Sequence, residues 1–264
     1  MRLSTSAVAA IALALAARAG AQDIAQRVAA VRNGTVEMHF ASRAGVCGDG
    51  DQSLSIGGSM HMGRYDAGSE WRCEPGPVRV RLQVEDGAVR DIRTAVGQPR
   101  RPGTDRVTDL GVVPASSAAS FFLQLAKSAG SHVSNAAVTP VILADSVYPW
   151  RDLLAVARDS ATRSRGTRSS AAPWLSRFAG AKMSGHENDL SASDDDGSAS
   201  DESEARTSAV FALSQLRNHE GITPLIQVAQ TNRDLRVRRS ALFWLGQSGD
   251  PRALELFERI LASQ

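Results

Sequence analysis

Two near-copies of one phrase, thirty-two residues apart, constrain this chain more than anything else in it. Ser208-Ala209-Val210-Phe211-Ala212-Leu213-Ser214-Gln215 is answered by Ser240-Ala241-Leu242-Phe243-Trp244-Leu245-Gly246-Gln247. With the spacing one residue shorter, Leu225, Ile226 and Ala229 are answered by Leu256, Phe257 and Ile260. Apolar residues at helical spacing, recurring at this period, predict helical hairpins that bury their faces against one another. The pattern starts earlier than its best copies. Leu153-Leu154-Ala155-Val156-Ala157 matches Leu225-Ile226-Gln227-Val228-Ala229, and Ala171, Trp174 and Leu175 fall where Ala209, Ala212 and Leu213 fall. Pro173 interrupts that degenerate copy, so its first helix is expected to start near the proline, which is tolerated in a first turn. About three repeats are needed to bury a continuous core. The 149–180 copy, with a helix near 115–128, is therefore expected to pack against Ala205–Leu216.

The N-terminus carries a different signal. Arg2, the eleven-residue apolar run Ala7–Ala17 and Ala19-Gly20-Ala21 read as a secretory signal peptide over residues 1–21. The run is shorter than the roughly 20 apolar residues of a stable membrane span. Without the leader, 28 basic residues face 28 acidic ones, a balance that argues against nucleic-acid binding. Two cysteines remain, Cys47 and Cys73. In an oxidising compartment they are expected to pair. The reading is an exported protein, periplasmic or extracellular.

Residues 22–148 read as a small, β-rich α+β domain holding that bridge. Ile24, Val28 and Val31 give a short amphipathic helix over 23–31, and Val36, Met38 and Phe40 share one face of a strand over 35–41. A second strand, broken by Gly57-Gly58, is expected within 54–64. Val78 to Val84 alternates apolar with polar, Asp86-Gly87 supplies a tight turn, and Val89, Ile92 and Val96 form the return strand. Val89 and Ile92 are out of phase, which predicts a register break between them. Residues 98–109 read as a polar loop. Ser116 or Ser117 is expected to cap a helix running to about Ser128, with Phe121, Phe122 and Leu125 inward and Gly130 as its stop. Pro140 leaves the class of 138–143 open.

From 149 to 264 the chain reads as helical hairpins with one interruption. Residues 184–204 hold eight acidic residues and no Lys or Arg, with Leu190 as the one residue fit to bury, so this linker is expected to be mobile.

Arg236-Val237-Arg238-Arg239-Ser240-Ala241-Leu242-Phe243-Trp244-Leu245-Gly246, followed by Gly249-Asp250-Pro251-Arg252-Ala253-Leu254, resembles a HEAT-type repeat. Local chemistry agrees: Asp234 and Asp250 can cap helices, Gly249 can end one, and Pro251 suits a first turn. The leader, the cysteine-containing β segment and the repeats together are similar to exported bacterial HEAT-repeat proteins. The resemblance implies a short α-solenoid with a concave binding surface, not a reaction. The His-Glu pairs also resemble those of deoxyhypusine hydroxylases, in which four such pairs at helix starts hold two irons. Here there are two, His186-Glu187 in the acidic linker and His219-Glu220 in a turn between helices.

Other chemistry is sparse. His39 and His61 each neighbour methionines, a soft ligand set suited to copper. In a strand, however, those methionines face away from the histidine. Asp49, Asp51 and Ser53 begin like a calcium loop, but Leu54 stands where the glycine is required. Neither a nucleophile elbow, an H-E-x-x-H zinc motif nor a phosphate-cradling glycine loop occurs. The reading is thus a non-enzymatic module, without a cofactor, that binds a protein or peptide through its helical hairpins. Arg236, Arg238, Arg239 and Trp244 are the candidate contact residues. The alternative is an envelope metal-binding protein or metal-dependent enzyme using His39, His61, His186, Glu187, His219 or Glu220.

Overall fold

The computed structural model describes residues 5–51, 53–57, 60–63, 73–99, 106–159, 165–185, 190 and 201–263. It is a mixed α+β structure of two compact units. One comprises Met1–Ser55 and Met60–Tyr148, the other Ile56–Ser59 and Pro149–Gln264. Among the described residues no helix is long and apolar enough to cross a membrane.

The first unit is built on a four-stranded sheet. Strands β1 (Asn33–Phe40), β5 (Val78–Glu85), β6 (Ala88–Val96) and β7 (Val107–Val112) lie in the order β6-β5-β1-β7. The β1–β5 and β5–β6 pairs are antiparallel, and β7 runs parallel to β1. The β1–β5 register sets Val36, Met38 and Phe40 opposite Leu82, Val80 and Val78, so all six side chains share one face and all are buried. Among the described residues four helices complete this unit: α1 (Thr5–Ala30), α2 (Ala115–Ser128), α3 (Ser131–Ala136) and α4 (Val138–Leu143). Phe122 on α2 reaches the sheet at Phe40, ring centroids 6.4 Å apart.

The β5–β6 turn uses positive φ at both Asp86 and Gly87, the conformation that follows the right-handed twist of a two-residue hairpin. The expected register break is present. Gln83 pairs with Asp91 but Val84 with Val89, leaving Arg90 as the extra residue of a bulge. Without it, Val89 and Ile92 would point to opposite faces.

A three-stranded sheet, in the order β2-β3-β4, joins β2 (Val46–Gly48), β3 (Leu54–Ile56) and β4 (Met60–Met62). Cys47 on β2 is bonded to Cys73, with Cα atoms 5.0 Å apart. Gly48 and Glu74 beside the bridge exchange both backbone hydrogen bonds, at 3.0 and 2.9 Å. Closing a loop of 26 residues stabilises the fold by about 3.5 kcal/mol in the chain-entropy account.

Three local expectations for this unit need correction, and the class left open at 138–143 is helix. Residues 107–112 form strand β7, not loop; only Leu110 of that strand is buried and Val112 is 85% exposed, so no alternation marks it. Helix α2 starts one turn earlier than a serine cap would place it: Pro114 is its N-cap, and Ser117 is buried inside the helix. Residues 138–143 are helical despite Pro140. The N-terminal helix is not confined to 23–31, because α1 passes unbroken through Ala19-Gly20-Ala21. Ala21, Ile24 and Val28 of α1 are buried, and a Cβ on Gly20 would stand 2.2 Å from Ser117 Oγ of α2.

The second unit holds α5 (Trp150–Arg158), α6 (Arg165–Met183), α7 (Asp201–Ser214), α8 (Ile222–Thr231), α9 (Leu235–Ser248) and α10 (Pro251–Ala262). The repeat's punctuation is as read. Asp234 Oδ1 accepts from Arg236 N at 2.9 Å, Gly249 ends α9 with φ +66, and Asp250 Oδ1 accepts from Arg252 N at 2.9 Å with Pro251 in the first turn.

The interruptions fall differently. Helix α6 does not begin near Pro173 but runs through it. The proline supplies no amide hydrogen and its ring crowds the preceding turn, so packing must offset that cost. Ala171, Ala172, Trp174, Leu175, Phe178 and Ala179 are all buried. The last acidic residues of the linker, Asp201, Glu202 and Glu204, lie within α7 at its positive N-terminal end. Leu190 is fully buried, and most of the remaining linker lies outside the described residues.

The expected partner of the 149–180 copy is also wrong. Helix α6 packs on α9 and α10, α5 packs on α6 and α10, and α7 packs on α9 and α8. Helix α2 finds α1, α3 and α4 as partners within its own unit. The α9–α10 pair is therefore central, flanked by α5–α6 on one side and α7–α8 on the other. Small residues make the α6–α9 approach close: a Cβ on Gly246 would stand 2.8 Å from Ser176 Oγ and 3.2 Å from the Ala172 carbonyl.

Candidate functional site: an aromatic ridge on the helical unit

The surface feature of the helical unit is a row of rings. Phe211 of α7 and Trp244 of α9 lie 5.0 Å apart between centroids, and Trp244 meets the edge of Phe243 at 5.0 Å. Trp244 is half-buried, while Phe211 is 49% and Phe243 40% exposed. Leu216, just beyond α7, is 47% exposed. Helix α7 is thinly packed for an element carrying such residues: of its side chains from Ala205 to Ser214, only Val210 is buried.

Beside the ridge runs an open groove of about 320 Å³, lined by Leu213, Leu216, His219, Leu225, Trp244 and Gln247 among others. The turn that carries His219 is held by charge. Asp250, 7% exposed, receives the Arg252 guanidinium at 2.9 and 3.0 Å and lies 3.4 Å from His219 Nδ1. Arg252 also donates to Thr223 Oγ1 at 3.2 Å and to the His219 carbonyl at 3.4 Å, tying the α9–α10 turn to the α7–α8 turn. The hydrogen bonds from Arg252 hold the Asp250 carboxyl below the ordinary carboxylate range. The strained backbone of Asn218 and His219, both at positive φ, belongs to that turn.

Of the four residues read as partner contacts, Trp244 lies in the ridge. Arg238 Nε donates to the Ala229 carbonyl in the last turn of α8 at 3.1 Å, and Arg239 Nε donates to Ser184 Oγ at 3.1 Å. These two guanidiniums serve the fold. The backbone amide of Arg236 completes the Asp234 cap.

Among the described residues the candidate ligands do not converge. His39 Nε2 lies 3.1 Å from Glu37 Oε1 in the first unit, with Met38 on the opposite, buried face. His61 is on β4, with its side chain outside the description, and His186 and Glu187 lie outside the described residues. His219 and Glu220 are exposed in the α7–α8 turn. Among the described residues no group of three or more His, Cys, Asp or Glu is placed to hold a metal.

Sequence reading missed two buried arginines, both in the first unit. Arg43 donates from Nε to the Ile142 carbonyl at 3.1 Å and from Nη2 to Val147 at 2.5 Å, capping the last turn of α4. Arg79 donates to the Gly50 carbonyl and lies 3.9 Å from Asp51. Burial lowers both guanidinium pKa values. Alongside, Glu37 accepts from Arg81, so the polar face of β1 and β5 is internally paired. A cross-strand reading of Glu37 against Arg81 could have found that pair; nothing local announces Arg43.

A family model for HEAT repeats matches residues 198–264, the span of α7 to α10. No curated protein and no solved structure matches the chain.

Proposed function

We propose that this chain, a HEAT-like repeat protein over α7 to α10, is a non-enzymatic protein- or peptide-binding module of the bacterial cell envelope. In this reading its hairpins form a short solenoid, and the ridge Phe211–Trp244–Phe243 is where a partner docks. One observation carries it: two phenylalanines, half exposed, stacked on a tryptophan across neighbouring helices. A folded chain gains nothing by leaving such rings in water, and aromatic residues that bury on association dominate binding energy. HEAT repeats often serve protein interactions, which agrees with a docking surface in this place. Export is supported by the leader pattern and by the Cys47–Cys73 bridge, which persists in oxidising compartments. Removal of the leader after Ala21 would leave Ile24 and Val28 to hold the remainder of α1 in place.

The test uses the full chain as bait in cross-linked envelope fractions, beside a Phe243→Asp variant. The expected outcome is one dominant adduct with the native chain and its loss with the variant, at unchanged thermal stability. Equal recovery by both chains, or no adduct from either, overturns the reading.

A further inference from the structure

The leader pattern and the fold make opposite demands on the same three residues. In the A-x-A pattern a leader peptidase cuts after Ala21 by reading two small residues, Ala19 and Ala21. Residues two apart point the same way only in an extended chain, so the enzyme reads this pattern on a strand laid along its cleft. In the folded protein the stretch is helical, for α1 runs unbroken from Thr5 to Ala30. Residues two apart on such a helix stand about 200° from each other around its axis. Burial agrees: Ala19 is exposed, whereas Ala21 is fully buried. The bond to be cut, Ala21–Gln22, lies inside the helix, where its neighbouring carbonyls and amides are engaged in intrahelical hydrogen bonds.

Helix α2 closes the site. Ala21, Ile24 and Val28 form one buried stripe on α1, and α1 packs on α2. Gly20 lies so close to α2 that a Cβ on it would stand 2.2 Å from Ser117 Oγ and 2.8 Å from Ser117 Cβ. The cleavage pattern asks nothing of its middle residue, whose side chain points away from the enzyme's pockets in an extended chain. The glycine is thus a requirement of the docked helix.

We infer that docking of α1 on α2 withdraws the Ala21–Gln22 bond from the leader peptidase. The chain is then a substrate only before its first unit folds, and it keeps its leader if folding comes first. This rests on reading residues 1–21 as a leader, which is part of the export reading above. The step withheld is an amide hydrolysis: water adds to the Ala21 carbonyl carbon, the C–N bond breaks, and the Gln22 nitrogen leaves with the proton. A folded chain can be cut only from states in which α1 has lifted and unwound, so its cleavage rate follows their population.

Order of addition tests this on the full chain, diluted from urea with its disulfide intact into detergent micelles and treated with a bacterial leader peptidase. Intact mass reads the loss of residues 1–21. Enzyme present from the moment of dilution should cut the chain, and enzyme added after folding should cut it at least about tenfold more slowly. Gly20→Ala keeps the cleavage pattern and favours the helix, but its methyl group meets Ser117, so the folded variant should lose most of that resistance. Adding Ser117→Gly removes both crowding atoms and leaves the Cα of residue 117 at 4.0 Å, which should restore it. Equal rates in the two orders overturn the inference and leave the leader reading standing. A folded Gly20→Ala chain as resistant as the native one also overturns it, because the α1–α2 contact would then not be what closes the site. No cutting in either order removes the leader reading as well, whereas the ridge is judged separately by its Phe243-dependent adduct.

Discussion

At the residue scale the helical unit depends on a few side chains that do two things at once. Asp250 caps α10 and anchors Arg252, and the arginine in turn ties down the α7–α8 turn. Asp250→Ala should destabilise the unit by about 1–2 kcal/mol through the lost cap, read as a lower denaturation midpoint at unchanged slope. The pH dependence follows from the direction of its titration. The carboxyl is held below its ordinary value in the folded state, mainly by Arg252. Its charged form therefore stabilises the fold above about pH 4, the unfolded value, and that contribution is lost as pH falls through the lowered one. Asp250→Asn keeps a capping oxygen but loses the charge, so its stability should fall less than native as pH drops below about 4. A parallel loss in both proteins would assign the acid sensitivity elsewhere. Gly246 is the second such position. A leucine there would drive into Ser176 and the Ala172 carbonyl, and Gly246→Leu should cost about 1–3 kcal/mol by overpacking, or more if α6 must leave α9. Caps were legible in the sequence because they are local: Asp, Pro and Gly stand within a few residues of the groups they serve. Arg43 was not, because its acceptors lie about a hundred residues along the chain, and Gly246 read only as a repeat position.

At the element scale, sequence and structure agree where one face of one element decides the outcome. The β5–β6 hairpin is written in its alternation, its Asp-Gly turn and even its bulge. Strand β7 is the contrary case. It is held by parallel pairing to β1, a partner about seventy residues away, and its own residues carry no alternating signal. Pro173 taught the same lesson: local propensity placed a helix end there, and burial of the residues around it overrode the proline. The aromatic ridge was half visible. Trp244 was named as a candidate contact, whereas Phe211 and Phe243 stood only as positions within the repeat phrase and are exposed. The Cys47–Cys73 bridge is an element-scale device, joining β2 to the segment before β5. Replacing both cysteines with serine should lower the stability of the first unit by about 3.5 kcal/mol and leave the melt of the helical unit unchanged. Loss of both transitions together would show that the units do not unfold separately.

For the whole molecule, the repeat specifies what kind of helical surfaces meet but not in which order. Sequence order suggests α5–α6, α7–α8, α9–α10, yet α9–α10 occupies the centre. The choice lies in small residues, Ala172 and Ser176 facing Gly246, which are silent in a hydrophobic pattern. Truncation tests this arrangement. Residues 205–264 alone expose the α9 flank that α6 covers and should melt without a cooperative transition, whereas 149–264 should unfold cooperatively. A sharp melt of the shorter fragment would contradict the role given to α6.

The central claim is that the ridge on α7 and α9 is a contact surface. It is tested most directly by a photo-cross-linking residue placed singly at Phe243, and for comparison at the exposed Glu255 of α10, in the native envelope. A strong adduct of defined mass from position 243 and none from 255 is the expected result. Equal labelling at the two positions, or silence at both, would contradict it.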